Sequence, residues 1–401
     1  MKVKMKTLTT LFTILCLMLM IISYMYAFIP KYSTYHFAFF YRIFKSLSFF
    51  LSLFYFIINL IIDKESRKKI HFNSAIKIVA IIIFYETLVL ICTTYNFDKL
   101  NIIDLYGWPF LFLQFYTEAM NKNIKKSYGY VISFLMLFIY VGAFQLIKIH
   151  LNGAGLAGSV VFPVYFCITF IPLLFYFNKN KYIRLGLIVI SLFMIIVSTK
   201  RAGFIALILG IIAYISTGFV INKKDKNKLF KIILLLIFVL YGTNWIISNS
   251  NLAIIERINS LSKDNGSGRT IIWKIIWESY SKSPIINKTF GHGFQSVVWQ
   301  LKPQNMMRFA HNSYLEFLYD YGTTGVLLLL IFVVNLLKET TNSIKTSNIL
   351  SPILSFSVCI GLFLSMFSYL FDEFFIIIPL VIVWGICLGE KNVIKSGGYN
   401  V

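Results

Sequence analysis

The sequence has few charged side chains, and few of those are acidic. Charged residues make up 13% of the 401 positions and hydrophobic residues 58%, whereas an ordinary soluble domain is about one-quarter charged. This composition excludes a soluble globular fold as the main organisation of the chain. The 38 Lys and Arg outnumber 16 acids and give a net charge of +22. Because these bases lie in short clusters between long apolar runs, they indicate membrane topology, and we expect no nucleic-acid partner.

Cysteine pairs with the spacing of metal ligands or of a disulfide framework are also missing. The five cysteines all fall inside apolar segments and form no Cys-x-x-Cys motif; they are Cys16, Cys92, Cys167, Cys359 and Cys387. The sequence therefore predicts neither a zinc site nor a disulfide scaffold. We expect no metal and no cofactor.

Long apolar runs dominate what is present. A bilayer core about 30 Å thick needs about 20 apolar residues per helix, and twelve runs approach that length: 7–29, 44–62, 76–95, 102–120, 128–147, 159–177, 182–199, 202–221, 230–248, 323–337, 349–370 and 374–388. Run 323–337 is short and 102–120 contains Asp104, Gly107 and Pro109. The predicted fold is an all-α polytopic membrane protein with about 12 transmembrane helices, in the range of ten to twelve.

The distribution of Lys and Arg predicts the orientation of these helices. With a cytoplasmic N-terminus, the inner segments hold 23 bases and the short outer segments seven, as the positive-inside tendency requires. Both termini are then cytoplasmic, and one hydrophilic segment lies outside. The predicted organisation is nine transmembrane helices in 1–248, a large external loop in 249–322, and three transmembrane helices with a tail in 323–401.

The predicted external loop contains several residues of types that are suited to binding or catalysis. It contains Trp273, Trp277, Trp299 and a glycine-containing turn at 264–268. The following segment, from Arg269, reads as an amphipathic helix that Pro284 ends, with its tryptophans at headgroup depth. Arg269 would lie at the helix N-terminus, where backbone N–H groups favour an anion; a solvated Arg269 on an interfacial anchor is the alternative.

Two more basic residues stand on the same predicted face. Lys200 and Arg201 occupy the outer turn between the seventh and eighth apolar runs, where the positive-inside tendency disfavours them. Arg201 would begin an outward-facing helix, a position suited to a phosphate. Binding to lipid headgroups explains the pair equally well.

Two histidines of the predicted loop lie in distinctive contexts. His311 begins the segment His-Asn-Ser-Tyr-Leu-Glu at the membrane edge, and an imidazole can accept a proton from a hydroxyl at neutral pH. A hydrogen bond at a helix start is the structural alternative. His292 lies between Gly291 and Gly293 and is a structural residue with room for a substrate hydrogen bond.

Taken in order, these motifs resemble those of the O-antigen polymerase and ligase superfamily of bacterial envelope glycosyltransferases. The matching segments are Ser198–Gly203, Gly268-Arg269 with Trp273, Ser283-Pro284, Gly291–Gly293, and His311–Leu315 with Gly322 and Gly325. The topological resemblance covers roughly residues 155–390. Lys200 departs from the small or polar residue expected before the arginine.

The resemblance implies a GT-C-like, metal-independent, inverting glycosyltransferase that uses an undecaprenyl-diphosphate-linked oligosaccharide. Arg201 and Arg269 would bind the diphosphate, His311 would be the catalytic base, and the further substrate contacts would be Lys200, Trp273, His292, Asn312 and Tyr314. The resemblance places the enzyme in the bacterial inner membrane with a periplasmic active site. Its implied partners are membrane lipid, a chain-length regulator and a flippase.

The family contains two activities, and the sequence favours one of them. A polymerase adds lipid-linked glycan to another lipid-linked repeat unit, whereas a ligase transfers the finished chain to a lipid A core. The 40 Phe and 24 Tyr resemble polymerases of variable O-antigen or capsular clusters, so we predict a repeat-unit polymerase with ligase as the alternative. A lipid-linked oligosaccharide transporter or flippase stays open; Glu86 and Glu118 lie within spans, but neither a repeat nor a polar cavity is evident.

Overall fold

The computed structural model describes residues 2–27, 35–62, 74–92, 102–121, isolated positions between 124 and 144, and 161–178, 180–198, 201–221, 269–304, 309–368, 370–371 and 374–395. Within these ranges all regular secondary structure is helical, as predicted. The helices are α1 Lys2–Ala27, α2 Tyr35–Ile62, α3 Ser74–Cys92, α4 Ile102–Met120, α5 Val161–Phe177, α6 Lys181–Ser198, α7 Arg201–Ile221, α8 Arg269–Lys282, α9 Ile285–Phe290, α10 Ser296–Leu301, α11 Ser313–Lys345, α12 Ser351–Phe367 and α13 Phe374–Lys395.

Several of these helices are apolar on all sides, which is typical of membrane proteins. In the described ranges, three are long and apolar enough to cross a membrane: α3, Ala202–Ile221 within α7, and α11. Other described apolar segments are shorter: Thr7–Ser23, Val164–Phe177, Tyr182–Ser191 and Ser351–Phe367. The predicted runs 128–147 and 230–248 lie largely or wholly outside the described residues, so the number of spans and the external position of 249–322 stay predictions.

Small residues allow close packing between helices. Helix α13 runs parallel to α4, since a β-carbon at Gly385 would lie 2.8 Å from the Phe112 carbonyl oxygen, and Gly389 lies against Tyr116 and Ala119 one turn further on. Such contacts allow apolar helices to gain dispersion energy without a hydrophobic driving force. Helices α7 and α12 pack antiparallel and share a buried hydrogen bond between Thr217 and Ser355, with 3.0 Å between their hydroxyl oxygens.

Buried charges in the bundle have partners. Lys45 of α2 lies 2.6 Å from Asp104 of α4, and Lys391 of α13 lies 2.8 Å from Glu339 of α11. Leaving one such charge without its partner would be strongly destabilising. The pairs therefore fix the relative positions of α2 with α4 and of α11 with α13.

Helix α11 is broken at Gly322, whose φ of 67° and ψ of −171° interrupt it. The carbonyls before the break receive donors from elsewhere in the chain. His292 N–H donates to Tyr319 O at 3.0 Å, Gly293 N–H donates to Asp320 O at 2.9 Å, and the Tyr85 hydroxyl donates to Tyr321 O at 2.6 Å. Because buried carbonyls without a donor are costly, the break depends on these contacts.

Two glycines make the approach of the 291–293 segment to α11 possible. A β-carbon at Gly322 would overlap the Thr289 carbonyl, and one at Gly291, whose φ is 89°, would overlap the Asp320 carbonyl. The φ and ψ of Gly322 also belong to a region that is essentially restricted to glycine. Gly291 and Gly322, two glycines of the predicted motifs, therefore serve the same backbone contact.

A small second core lies beside this break. It joins α8, α10 and the first part of α11 through Ile272, Ile276, Tyr280, Val297, Leu301, Ala310 and Tyr319. The buried Asp320 carboxylate accepts the N–H groups of Gln295 and Val297 at 2.8 and 3.0 Å and the Ser296 hydroxyl at 2.6 Å. Asp320 thus satisfies the donors at the beginning of α10 and ties that helix to α11.

We predict that Gly322→Ala destabilises the protein by at least about 1–3 kcal/mol, the strain of an unfavourable backbone conformation, and lowers its melting temperature in detergent. Gly186→Ala is the matched control, because nothing lies within 4 Å of a β-carbon at that position. Equal melting temperatures for the two variants would contradict the importance of the Gly322 contact.

Candidate functional site

Arg269 is the first residue of α8 and is half-buried. Its side chain lies next to the side chain of Tyr165, near the beginning of α5, and interacts with it electrostatically. Tyr165 is 2% exposed, so the tyrosine provides a fixed partner for the guanidinium. The contact brings α8 to the end of the bundle at which α5 begins.

Helix α7 begins at the same place. A β-carbon at Gly203, in the first turn of α7, would lie 3.4 Å from the Tyr165 ring and 2.9 Å from Ile168. Arg201 is the first residue of α7, two positions before that contact. The two predicted diphosphate-binding arginines therefore both begin helices next to Tyr165. Helix N-termini carry N–H groups without helical acceptors, which favour anions.

The residues on either side of His311 are both held by hydrogen bonds. Ala310 donates its N–H to a Glu316 carboxylate oxygen at 3.2 Å, and its carbonyl accepts from Trp273 Nε1 at 2.7 Å. Asn312 caps α11, since its Oδ1 accepts the Leu315 N–H at 3.1 Å. His311 itself has a φ of 53°, the left-handed conformation, which the flanking contacts maintain.

A groove of about 530 Å³ separates α8 from α11. Its walls are almost entirely apolar and aromatic, and its lining residues are Trp273, Lys274, Trp277, Asn312, Tyr314, Leu315, Leu318 and Val326. Three predicted substrate contacts, Trp273, Asn312 and Tyr314, thus share one cavity. Trp273 lies one helical turn after Arg269, and Asn312 directly follows His311, so the groove begins beside both predicted functional residues.

His292 lies outside the lining of this groove. Its ring stacks on Tyr319 with 4.2 Å between ring centroids and 8° between planes. Its Nδ1 lies 3.1 Å from the Tyr319 carbonyl and its Nε2 2.9 Å from the Ser283 hydroxyl. Burial lowers the pKa of His292, partly opposed by the bond to Tyr319. Both nitrogens therefore face protein groups, and a substrate contact by His292 stays a prediction, as does one by Lys200, which lies outside the described residues.

Several residues of the site gave no usable signal in the sequence. Tyr165 lies within an apolar run, where a tyrosine is unremarkable, and its role depends on contacts with α7 and α8. Trp277, by contrast, had a signal, because positions 269, 273 and 277 recur every four residues on one side of a helix. Glu316 was noted only as the end of a motif, yet its carboxylate holds the residue before His311.

We predict that this end of the protein binds pyrophosphate. In detergent, millimolar pyrophosphate should raise the melting temperature of the wild-type chain by mass action, and Arg269→Ala should abolish the shift. Tyr165→Phe should weaken the affinity about 3–10-fold, because the partner that orients Arg269 loses its hydroxyl.

The matched control is Tyr214→Phe. The Tyr214 hydroxyl accepts a hydrogen bond from Arg184 at 2.7 Å, so this variant also removes an Arg–Tyr interaction, but next to the C-terminal end of α5. It should keep the wild-type response to pyrophosphate. A response that is unchanged in Arg269→Ala would contradict anion binding at this site.

Comparison with known proteins agrees with the motif resemblance. Residues 186–330 match the Wzy_C family, described as O-antigen ligase, and this range contains α7, α8, the groove and the break in α11. No curated protein matches the chain. The matched domain covers residues 186–330 and supports the resemblance to the O-antigen polymerase and ligase superfamily.

Proposed function

We propose that this protein is a repeat-unit polymerase of O-antigen or capsular polysaccharide that transfers undecaprenyl-diphosphate-linked glycan to the non-reducing end of another lipid-linked unit. The observation that carries the proposal is the shared contact of α7 and α8 with Tyr165. It supports a common diphosphate site for Arg201 and Arg269, beside the groove that begins at His311.

The reaction proposed for this site needs a base and an anion site. The acceptor hydroxyl oxygen attacks the anomeric carbon, the bond from that carbon to the diphosphate oxygen breaks, and the hydroxyl proton passes to His311. Attack from the side opposite the leaving group inverts the configuration. The developing charge on the diphosphate is stabilised by two guanidinium groups and two helix N-termini, so the proposed chemistry uses no metal and no cofactor.

The groove between α8 and α11 suits a sugar acceptor. Trp273, Trp277 and Tyr314 offer aromatic faces to the C–H groups of a pyranose, and Lys274 offers a cation at the rim. Because Asn312 Oδ1 accepts from Leu315, the Asn312 amide N–H groups supply the donors. This combination of apolar walls with few polar groups is typical of small-molecule sites.

The site also lies at a membrane boundary. Tyr85 of α3 contacts Tyr321 of α11. At 1.5 Å per residue, Cys92 at the end of α3 is about 10 Å from Tyr85, and Asn312 at the start of α11 is about 14 Å from Tyr321. A headgroup-level site matches a lipid-linked donor. In the proposed orientation this boundary is the periplasmic face of the inner membrane, with both termini in the cytoplasm. A flippase would supply the donor there, and a chain-length regulator would limit the product.

A ligase is the second candidate, because the matched family carries that description. Polymerase and ligase use the same donor chemistry and differ in the acceptor. The proposed diphosphate site and base would serve either reaction.

We expect Arg201→Ala, Arg269→Ala and His311→Ala each to abolish long-chain polysaccharide, measured on gels from complemented deletion cells, while the protein still inserts in the membrane. Lys at either arginine position should rescue only partly, since a bidentate phosphate contact is lost. Lys338→Ala, an exposed change in the second half of α11, is the control and should retain wild-type chains. Wild-type chain length in His311→Ala would remove its role as the base.

The deletion strain itself separates the two candidates in a host that makes lipopolysaccharide. Loss of a polymerase should leave lipid A core bearing one repeat unit. Loss of a ligase should leave unmodified core, with polymer retained on the carrier lipid. The second pattern would overturn the polymerase proposal and support the ligase.

A further inference from the structure

Helix α9 exposes an apolar surface that is unusual for a segment between two polar turns. Ile285 is 75% exposed, Ile286 69% and Phe290 52%. These three side chains make up half of the six-residue helix. In water such a patch would be unfavourable, so its surroundings need an explanation.

The depth of α9 can be read from its contact with α3. The Tyr85 hydroxyl lies 3.2 Å from the Phe290 carbonyl and 2.6 Å from the Tyr321 carbonyl, so the end of α9 is level with Tyr85. Tyr85 lies inside α3, a helix of 19 residues with membrane-spanning character. The exposed apolar side chains of α3 extend on both sides of that level: Ile81, Phe84, Leu88 and Ile91.

The rise of an α-helix gives the distance between Tyr85 and the end of α3. At 1.5 Å per residue, α3 is about 28 Å long, close to the roughly 30 Å of a bilayer core. Cys92, the last residue of α3, is seven residues beyond Tyr85 and therefore about 10 Å further along the axis. The contact between α9 and α3 thus lies about 10 Å inside the apolar layer that α3 spans.

The backbone of α9 is suited to this environment. A lipid-embedded segment must satisfy its polar backbone groups within the protein. The Lys288 carbonyl accepts from the Tyr280 and Thr323 hydroxyls, and the Ile285 carbonyl accepts from the Thr289 hydroxyl. The Phe290 carbonyl lies 3.2 Å from the Tyr85 hydroxyl, whose single proton goes to the nearer Tyr321 carbonyl. Pro284, which precedes the helix, has no N–H to satisfy.

We propose that residues 284–290 form a re-entrant segment whose exposed face is covered by the acyl chains of the bilayer leaflet at the C-terminal end of α3. The segment enters after α8 and returns through Gly291, held by the glycine contact with α11. Its apolar face is continuous with the lipid-facing stripes of α3 and of α11, where Leu327 and Val334 are 58% and 59% exposed. The long side chain of Lys288 can extend to the headgroups.

Helix α8 stays at the membrane surface in this arrangement. Its Lys274 and Glu278 side chains are 76% and 51% exposed and lie 3.9 Å apart, which suits water or headgroups. The residues before Pro284 and those after it are therefore expected in different media. This inference does not depend on the proposed glycosyl transfer.

The test compares Ile286→Cys with Ser281→Cys in the full chain in native membranes. Both positions are exposed in the structure, but only Ser281 is expected to face water. A membrane-impermeant maleimide should modify Ile286→Cys at least tenfold more slowly than Ser281→Cys, and equally fast after denaturation in SDS. The wild-type chain, with its five thiols, gives the background.

A second measurement identifies the medium that protects position 286. With an environment-sensitive fluorophore on the introduced cysteine, brominated acyl chains in reconstituted vesicles should quench Ile286→Cys and leave Ser281→Cys nearly unchanged. Labelling rates within twofold of each other would place α9 in water and overturn the proposal. Protection without quenching by brominated lipid would also overturn it, because a protein surface would then cover α9; Ile285→Cys replaces Ile286→Cys if the latter fails to fold.

Discussion

The break in α11 is the constraint on which the rest of this region depends. At Gly322 the helix gives up the internal donors of three consecutive carbonyls, and Tyr85, His292 and Gly293 supply replacements. Because these donors come from α3 and from the segment between α9 and α10, one local interruption fixes the positions of three elements. His292, in the segment between α9 and α10, also lies 2.9 Å from the hydroxyl of Ser283, which directly follows α8. The second core keeps α8, whose first residue is Arg269, against the beginning of α11.

Tyr165 has a comparable role for the basic residues. A hydroxyl that is buried among apolar helices needs a partner, and the Arg269 side chain lies next to that of Tyr165 while keeping its own charge near the surface. The Tyr165 ring also occupies the space that Gly203 leaves open. A single tyrosine thus contacts the first turns of two helices.

The sequence predicted the helices well and their mutual contacts poorly. Apolar runs predicted α3, α4 and α7 to within three residues at each end, because length and hydropathy are local properties. The helix from Arg269 followed from its periodicity and from Pro284. In contrast, the bond from Tyr85 to Tyr321 joins residues 236 positions apart, and no local pattern indicates it. Tyr165 was missed for the same reason. The motif resemblance predicts Arg269, Trp273 and His311 as site residues without any geometry, and their roles stay predictions.

The groove between α8 and α11 crosses the Gly322 break: Leu315 and Leu318 lie before it and Val326 lies after it. The far half of α11 is locked to α13 by Lys391 and Glu339, while the near half is held to α10 by Asp320 and to α12 by the hydrogen bond between Ser365 and Tyr314. The two parts of α11 that line the groove are thus both anchored, and the angle between them is the angle of the helix break at Gly322. The width of the groove is in this sense set by the φ and ψ of one residue without a side chain.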